Sequence, residues 1–169
     1  DELCANFFTL LENRKRIKRK KSAKKFINKH SNFIKKKLPF NLTNSQQKVL
    51  NEINKDLLSS NRMFRIIQGD VGSGKTIVSL LAILNVIESG YQCALMGPTE
   101  ILAKQHYDLA KKIFKDLDFK IQFLTGKIEP KNKKEILKNL ESGKTDLIIG
   151  THALFQKKIN FKRLGLVII

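Results

Sequence analysis

The chain has 169 residues, of which 41% are hydrophobic and 28% are charged, and its formal net charge is +18. Its two cysteines exclude a disulfide framework, and its longest apolar stretch, residues 77–87, is too short to cross a bilayer, so we expect one globular domain in a reducing, cytoplasmic setting with no membrane partner. The excess of positive charge suits a polyanionic partner, but 27 of the 33 basic residues are Lys, which a proteome-wide lysine bias explains equally well.

The first predicted segment, residues 1–38, is a basic helical linker. Residues 1–37 hold 13 basic and 3 acidic side chains, and nine of the twelve residues in 14–25 are basic. Either this run contacts DNA phosphates or it is a solvated tether, and the sequence favours neither. A proline at position 39 pushes Leu38 out of the helical region, which places a domain boundary there.

From residue 39 onward, helical and strand patterns alternate. Thr43 and Gln46 can form a capping box for a helix over residues 43–60. Strands are predicted at residues 64–68, 92–96, 120–124, 146–149 and 164–169, and crossover helices at 75–88, 100–115 and 131–141. This alternation predicts an α/β three-layer sandwich with a parallel sheet. Because the last apolar strand is followed by no turn or polar residue, we expect the sequence to be a fragment of a longer protein.

Residues 69–76 match the phosphate-binding pattern G-x-x-x-x-G-K-[ST], between a predicted strand and a predicted helix. In such a loop, backbone N–H groups surround the β-phosphate, the lysine reaches the β- and γ-phosphates, and the hydroxyl completes the shell of Mg²⁺. We therefore predict binding of a nucleoside triphosphate, most simply ATP with Mg²⁺, by Gly69, Asp70, Val71, Gly72, Ser73, Gly74, Lys75 and Thr76. The loop occurs in kinases, GTPases, transporters and motors, so it does not identify the reaction.

Three further loops follow predicted strands and carry small hydroxyl residues. Thr99 can cap a new helix, Thr125 and Gly126 follow the next strand, and Thr151 follows the one after. Because parallel strands end at one edge of a sheet, these loops align there and could form a track for a phosphate backbone.

The sequence resembles the RecG-type ATP-dependent DNA helicases of superfamily two, with a RecA-like motor fold. The resemblance covers residues 38–169 almost continuously, and residues 1–6 with the basic run resemble the family's linker. It is carried by Leu38-Pro39-Phe40, Leu42-Thr43 with Gln46, residues 68–76, Pro98-Thr99-Glu100-Ile101-Leu102-Ala103 with Gln105-His106, Leu124-Thr125-Gly126-Lys127, and Gly150-Thr151-His152-Ala153-Leu154-Phe155-Gln156.

The resemblance implies specific roles within a first motor domain spanning residues 39–169. Lys75 and Thr76 would serve catalysis, with Thr76 on the metal; Gln46 would read the adenine edge, and Phe40 would pack on the adenine ring. Thr99, Thr125, Gly126 and Thr151 would face branched duplex DNA. In the whole protein, ATP turnover would drive translocation on double-stranded DNA for fork reversal and Holliday junction branch migration, in recombination and repair.

The sequence also departs from the family pattern. The family's Asp-Glu (Walker B) motif, which follows the strand that here ends at Ile169, is not in the sequence, nor are the wedge domain and the second motor domain with its arginine. We therefore expect this chain to bind nucleotide without hydrolysing it.

Three other interpretations remain open. A transcription-repair coupling translocase shares the phosphate loop and the Gly-Thr-His loop, although Ser73 and the loops at Thr99 and Thr125 favour the RecG type. A non-motor module could bind nucleic acid through residues 14–25. A small-molecule kinase would need a lid, which no segment resembles.

Overall fold

The computed structural model describes residues 40–155 and 159–169, and its centre is a four-stranded parallel sheet. The strands are β1 (Gln92–Met96), β2 (Ile121–Leu124), β3 (Leu147–Gly150) and β4 (Leu164–Ile168). Their spatial order is β2-β3-β1-β4 and all three neighbouring pairs are parallel, so every connection between consecutive strands is a crossover rather than a hairpin. The parallel sheet and the RecA-like class expected from the sequence are confirmed.

Four α-helices in the described part of the chain accompany the sheet: α1 (Asn44–Leu58), α2 (Lys75–Glu88), α3 (Glu100–Ile113) and α4 (Pro130–Ser142). Each of these helices begins and ends within two residues of the limits predicted from the sequence. The capping box is confirmed, because the Thr43 hydroxyl accepts from the Gln46 N–H and the Gln46 side chain accepts from the Thr43 N–H. The Thr99 hydroxyl likewise accepts from the Leu102 N–H at the start of α3.

Alternating residues of the strands build two apolar clusters, one on each face of the sheet. The larger cluster contains Cys93 and Leu95 of β1 and packs against α1, α2 and α3. The smaller one contains Ala94 of β1 and Ile148 of β3 and packs against Leu140 of α4. Helix α2 is buried almost all round, with ten consecutive buried residues, because it lies between α1 and the sheet. These layers make the predicted three-layer sandwich.

The strand predicted at residues 64–68 is wrong. Those residues have no regular secondary structure and no ladder with any strand that the structure describes, and Phe64 and Ile66 are exposed. Their pattern of apolar residues is that of a strand, but a strand requires a paired neighbour, and the backbone groups here form none of the recorded turn or ladder bonds. The segment is held instead by side chains.

The predicted linker at residues 1–38, with its basic run 14–25, lies outside the described residues, as do Pro39 and Gln156 of the motifs. Within the two described ranges, no helix is long and apolar enough to cross a membrane.

Candidate nucleotide site and the adjoining sheet edge

The phosphate loop takes a conformation that requires glycine. Gly72 and Gly74 have φ of 82° and 83°, in the left-handed region where a side chain is strained. The Ser73 N–H donates to the Asp70 carbonyl at 3.2 Å and closes the turn between them. A Cβ on Gly69 would lie 2.8 Å from the Ser73 Oγ, so a larger residue there would require the Ser73 hydroxyl to rotate away. The loop therefore has the backbone geometry that the sequence pattern predicts.

Helix α2 begins without a side-chain cap. Gly74 is its N-cap and offers no side-chain acceptor, whereas α1 and α3 both begin with a threonine cap. The N–H groups of Lys75 and Thr76 form none of the hydrogen bonds recorded for the described residues. Uncapped N–H groups at a helix start, together with the helix dipole, form a binding site for an anion.

The start of α2 lies at the carboxyl edge of the sheet. Only three residues separate the end of α2 from the start of β1, and α2 packs along β1 and β4. The helix therefore runs antiparallel to these strands, and its first turn lies beside their carboxyl ends. Ligands of open parallel sheets bind at this edge.

The Lys75 ammonium group lies across the phosphate loop. Its Nζ donates to the carbonyl of Gly69 at 2.6 Å and to that of Asp70 at 2.7 Å. An ammonium group has three donors, so two are used and one is left. The lysine is thus already held inside the loop rather than extended into solvent.

Gln46 joins helix α1 to the phosphate loop. Its Nε2 donates to the Ser73 carbonyl at 2.9 Å, while its Oε1 accepts from the Thr43 N–H at 2.9 Å. The amide retains one N–H and one oxygen lone pair, enough for a bidentate contact with the N6 and N7 edge of adenine. Phe40 is 46% exposed, so one face of its ring can receive a base. The adenine roles of both residues stay predictions.

The three loops predicted to form a track for a phosphate backbone meet at one edge of the sheet. Met96 and Leu124 both pair with Gly150, so β1, β2 and β3 end level with one another. Two bonds continue beyond the strands: the Gly97 N–H donates to the Gly150 carbonyl at 2.8 Å, and the Thr151 N–H donates to the Leu124 carbonyl at 3.3 Å. The loops that follow are therefore tied to each other.

The four predicted DNA contacts differ in exposure. Thr99 and Gly126 are exposed, and Thr151 is half-buried. Thr125 is buried, so its hydroxyl does not face solvent, and the exposed residues that follow it in this loop are Gly126 and Lys127. That these residues contact DNA stays a prediction.

Sequence reasoning missed three ion pairs near the site. Lys127 Nζ lies 3.3 Å from Glu100 Oε2 and joins the loop after β2 to the start of α3, although both partners are solvent-exposed enough for the pair to contribute little stability. Arg65 contacts Glu52 and Asp56 of α1. The spacing of four between Glu52 and Asp56 indicates one helix face, but their partner is not readable from sequence.

Binding of Mg²⁺ with the nucleotide would depend on the Thr76 hydroxyl. Among the residues in the described ranges, no three His, Cys, Asp or Glu side chains form a group that could hold a metal ion. Mg²⁺ in nucleotide sites binds through phosphates, waters and one or two protein oxygens, and the half-buried Thr76 hydroxyl in the first turn of α2 fits such a role. No protein cage for a free metal ion is present in this part of the chain.

The family model and the similar proteins both indicate a helicase. A family model described as DEAD/DEAH box helicase matches residues 43–169. The ATP-dependent DNA helicase RecG of Aquifex aeolicus is 45% identical over 172 residues, which cover 100% of this chain and 22% of that protein. RecG of Bacillus subtilis is 51% identical over 133 residues, covering 79% of this chain and 20% of that protein. The chain thus spans about a fifth of the length of these curated relatives.

Solved structures agree. A structure of RecG bound to a three-way DNA junction matches with a TM-score of 0.85 and 42% identity, over 94% of this chain and 22% of that one. A hypothetical ATP-dependent RNA helicase from Sulfolobus tokodaii matches with a TM-score of 0.59 and 21% identity, over 79% of this chain and 38% of that one, which supports the fold alone. The resemblance to RecG-type helicases is confirmed, and the chain belongs to the DEAD/DEAH box helicase family.

Proposed function

We propose that this chain is part of an ATP-dependent DNA helicase of the RecG type, and that residues 39–169 belong to its first motor domain, with residues 1–38 as the linker. The observation that carries the proposal is the uncapped start of α2 behind a glycine-shaped loop with Lys75 inside it. The similarity to RecG proteins, one of them solved on a three-way DNA junction, supports branched DNA as the substrate.

Binding of ATP would proceed by exchange of partners within the loop. The β-phosphate would accept from the free N–H groups of Lys75 and Thr76, and the Lys75 ammonium would leave the carbonyls of Gly69 and Asp70 for phosphate oxygens. The Thr76 hydroxyl would join the shell of Mg²⁺, which when bound neutralises charge on the β- and γ-phosphates. Gln46 would keep its bond to Ser73 and use its remaining donor and acceptor on adenine.

DNA would lie along the carboxyl edge of the sheet. The exposed Thr99 and Gly126 would contact backbone phosphates, and Thr151 would lie between them because its loop follows the strand between β1 and β2. Translocation on duplex DNA, fork reversal and branch migration in recombination and repair belong to the whole protein and form part of the proposal. The wedge and second motor domains would complete it.

Titration with nucleotide tests the proposal. We expect Mg·ATP to bind the purified chain and Lys75→Ala to weaken binding at least about tenfold, because the lysine is the positive side chain of the phosphate loop. Lys48→Ala is the matched control, since Lys48 is an exposed lysine on α1 that takes part in none of the ion pairs among the described residues. If Lys75→Ala binds Mg·ATP as tightly as the Lys48 variant, the chain is not a nucleotide-dependent motor, and a basic nucleic-acid-binding module becomes the better account.

Hydrolysis is tested with the same preparations. The resemblance implies that turnover needs an Asp-Glu motif and an arginine from a second motor domain, so we expect no ATPase activity from this chain with or without duplex DNA. DNA-stimulated phosphate release that Lys75→Ala abolishes would contradict this part of the proposal.

A further inference from the structure

Arg65 connects the segment before the phosphate loop to helix α1. Its Nε donates to Asp56 Oδ2 at 2.7 Å and its Nη1 donates to Glu52 Oε2 at 2.7 Å. The two carboxylates lie four residues apart on one face of α1, so the guanidinium group binds two successive turns of the helix. Arg65 itself is four residues before Gly69, the first residue of the loop.

These contacts determine geometry more than they add stability. Both distances lie in the range of charge-assisted hydrogen bonds, and the planar guanidinium group presents its donors in a rigid fork. The hydrogen bond to Asp56 is the main cause that raises the pKa of Arg65, so the arginine stays charged. The three side chains are 30%, 40% and 37% exposed, and solvent therefore screens much of the attraction.

Besides Arg65, the segment is supported by Ile67, a half-buried side chain that packs against the larger apolar cluster. Residues 64–68 form no strand ladder with the strands that the structure describes, and Phe64 and Ile66 point away from the core. Helix α1 meets this part of the chain at a second point, where Gln46 donates to the Ser73 carbonyl. Two side-chain bridges, one before the loop and one within it, therefore hold α1 against residues 65–73.

We propose that Arg65 is a positioning residue that sets the distance between the phosphate loop and the base-binding end of helix α1. This inference rests on the proposed function, in which residues 69–76 hold the triphosphate while Phe40 and Gln46 hold adenine. A nucleotide that bridges two elements binds well only when their separation matches its length, because an incorrect separation leaves one of its ends unbound. Arg65 thereby contributes to binding of the base without contacting the nucleotide.

The inference is tested by comparing a whole nucleotide with a ligand that lacks the base. Binding of Mg·ATP and of Mg·tripolyphosphate is measured by calorimetry for the 169-residue chain and for Arg65→Met, whose unbranched side chain keeps the aliphatic bulk without the fork. We expect Arg65→Met to weaken Mg·ATP about tenfold and tripolyphosphate less than about twofold, because only ATP depends on the separation.

Four further variants separate positioning from simple structural support. Arg65→Lys keeps the charge but can reach one carboxylate at a time, so we expect it to restore only part of the ATP affinity. The double variant Glu52→Gln with Asp56→Asn should reproduce Arg65→Met, and adding Arg65→Met to it should cause little further loss. Arg62→Met is the control, because Arg62 is an exposed arginine that takes part in none of the ion pairs among the described residues.

Each result of these titrations either supports or overturns the positioning role of Arg65. Equal losses of ATP and tripolyphosphate binding in Arg65→Met, or unchanged ATP binding in both Arg65→Met and the double carboxylate variant, would overturn the inference. If Arg65→Met does not fold, the double carboxylate variant carries the same comparison. Failure of the proposed function is recognised separately, because Lys75→Ala would then leave both ligands bound as in the unmodified chain.

Discussion

Individual glycines of the phosphate loop are under two different constraints. Gly72 and Gly74 share a left-handed backbone, but a Cβ on Gly72 would meet nothing within 4 Å, whereas one on Gly74 would collide with the Gln46 side-chain amide. The sequence pattern predicts the backbone requirement, because it places glycine at both positions. It does not predict the contact with Gln46, which lies 27 residues before Ser73 and on another helix.

We predict that Gly74→Ala and Gly90→Ala both lower the free energy of unfolding, but that only Gly74→Ala impairs nucleotide binding. Gly90 has φ of 80° and open space around it, so alanine there adds only backbone strain of about 1–2 kcal/mol. Alanine at position 74 adds the same strain and displaces the Gln46 amide from Ser73. Urea denaturation and ATP titration of both variants measure the two effects. Equal ATP affinities in the two variants would show that the Gln46 bridge is dispensable.

At the level of helices and strands, the sequence predicts helix caps and helix limits, but it does not predict which segments pair in the sheet. The caps at Thr43 and Thr99 and the limits of α2 follow from residues close in sequence, and the structure confirms them. Residues 64–68 have the composition of a strand, yet the structure gives them no ladder, because pairing depends on a partner distant in sequence. The Arg65 contacts that support this segment are equally non-local, so no local pattern signals them.

The Thr99 cap gives a prediction for helix α3. Thr99→Ala removes the acceptor for the Leu102 N–H, and we expect the free energy of unfolding to fall by about 1 kcal/mol. Thr99→Ser keeps a hydroxyl at the same place and should lose no more than a few tenths of a kcal/mol. Thermal denaturation followed by circular dichroism compares the three proteins. A serine variant as unstable as the alanine variant would mean that the threonine methyl group, rather than the cap, supports the helix start.

For the whole molecule, the α/β class and the edge that carries the site follow from the alternation of strands and helices. Because crossover connections in a parallel sheet place all strand ends on one side, the loops at Thr99, Gly126 and Thr151 could be expected to meet before their positions were known. The strand order β2-β3-β1-β4 could not be predicted in this way, because each crossover can place the next strand on either side of the previous one. Burial of Thr125 depends on that order and on packing.

The charge of the whole chain poses the remaining question, because +18 can arise from a DNA-binding segment or from a general abundance of lysine. Residues 1–37 carry a net +10, and the other 132 residues carry the remaining +8. Exposed lysines also occur on α4, where Lys131, Lys134 and Lys138 project from one helix face. Removing basic residues from the run at residues 14–25 can therefore be compared with removing the same number of basic residues from the region of α4.

We predict that DNA binding by the chain depends on the basic run at residues 14–25 rather than on net charge alone. Replacing Lys18, Arg19, Lys20 and Lys21 with Ala should reduce the slope of log affinity against log salt by up to about 3 to 4, because each lost phosphate contact releases about one counterion fewer. The matched variant replaces Lys131, Lys134, Lys138 and Lys144, four exposed lysines, and removes the same charge. Duplex binding measured by fluorescence anisotropy at several salt concentrations gives both slopes. The two variants have equal net charge, so equal slopes would mean that the lysines act through the overall field of the protein. If the variant of residues 18–21 keeps the slope of the unmodified chain, the basic run is excluded as a DNA contact.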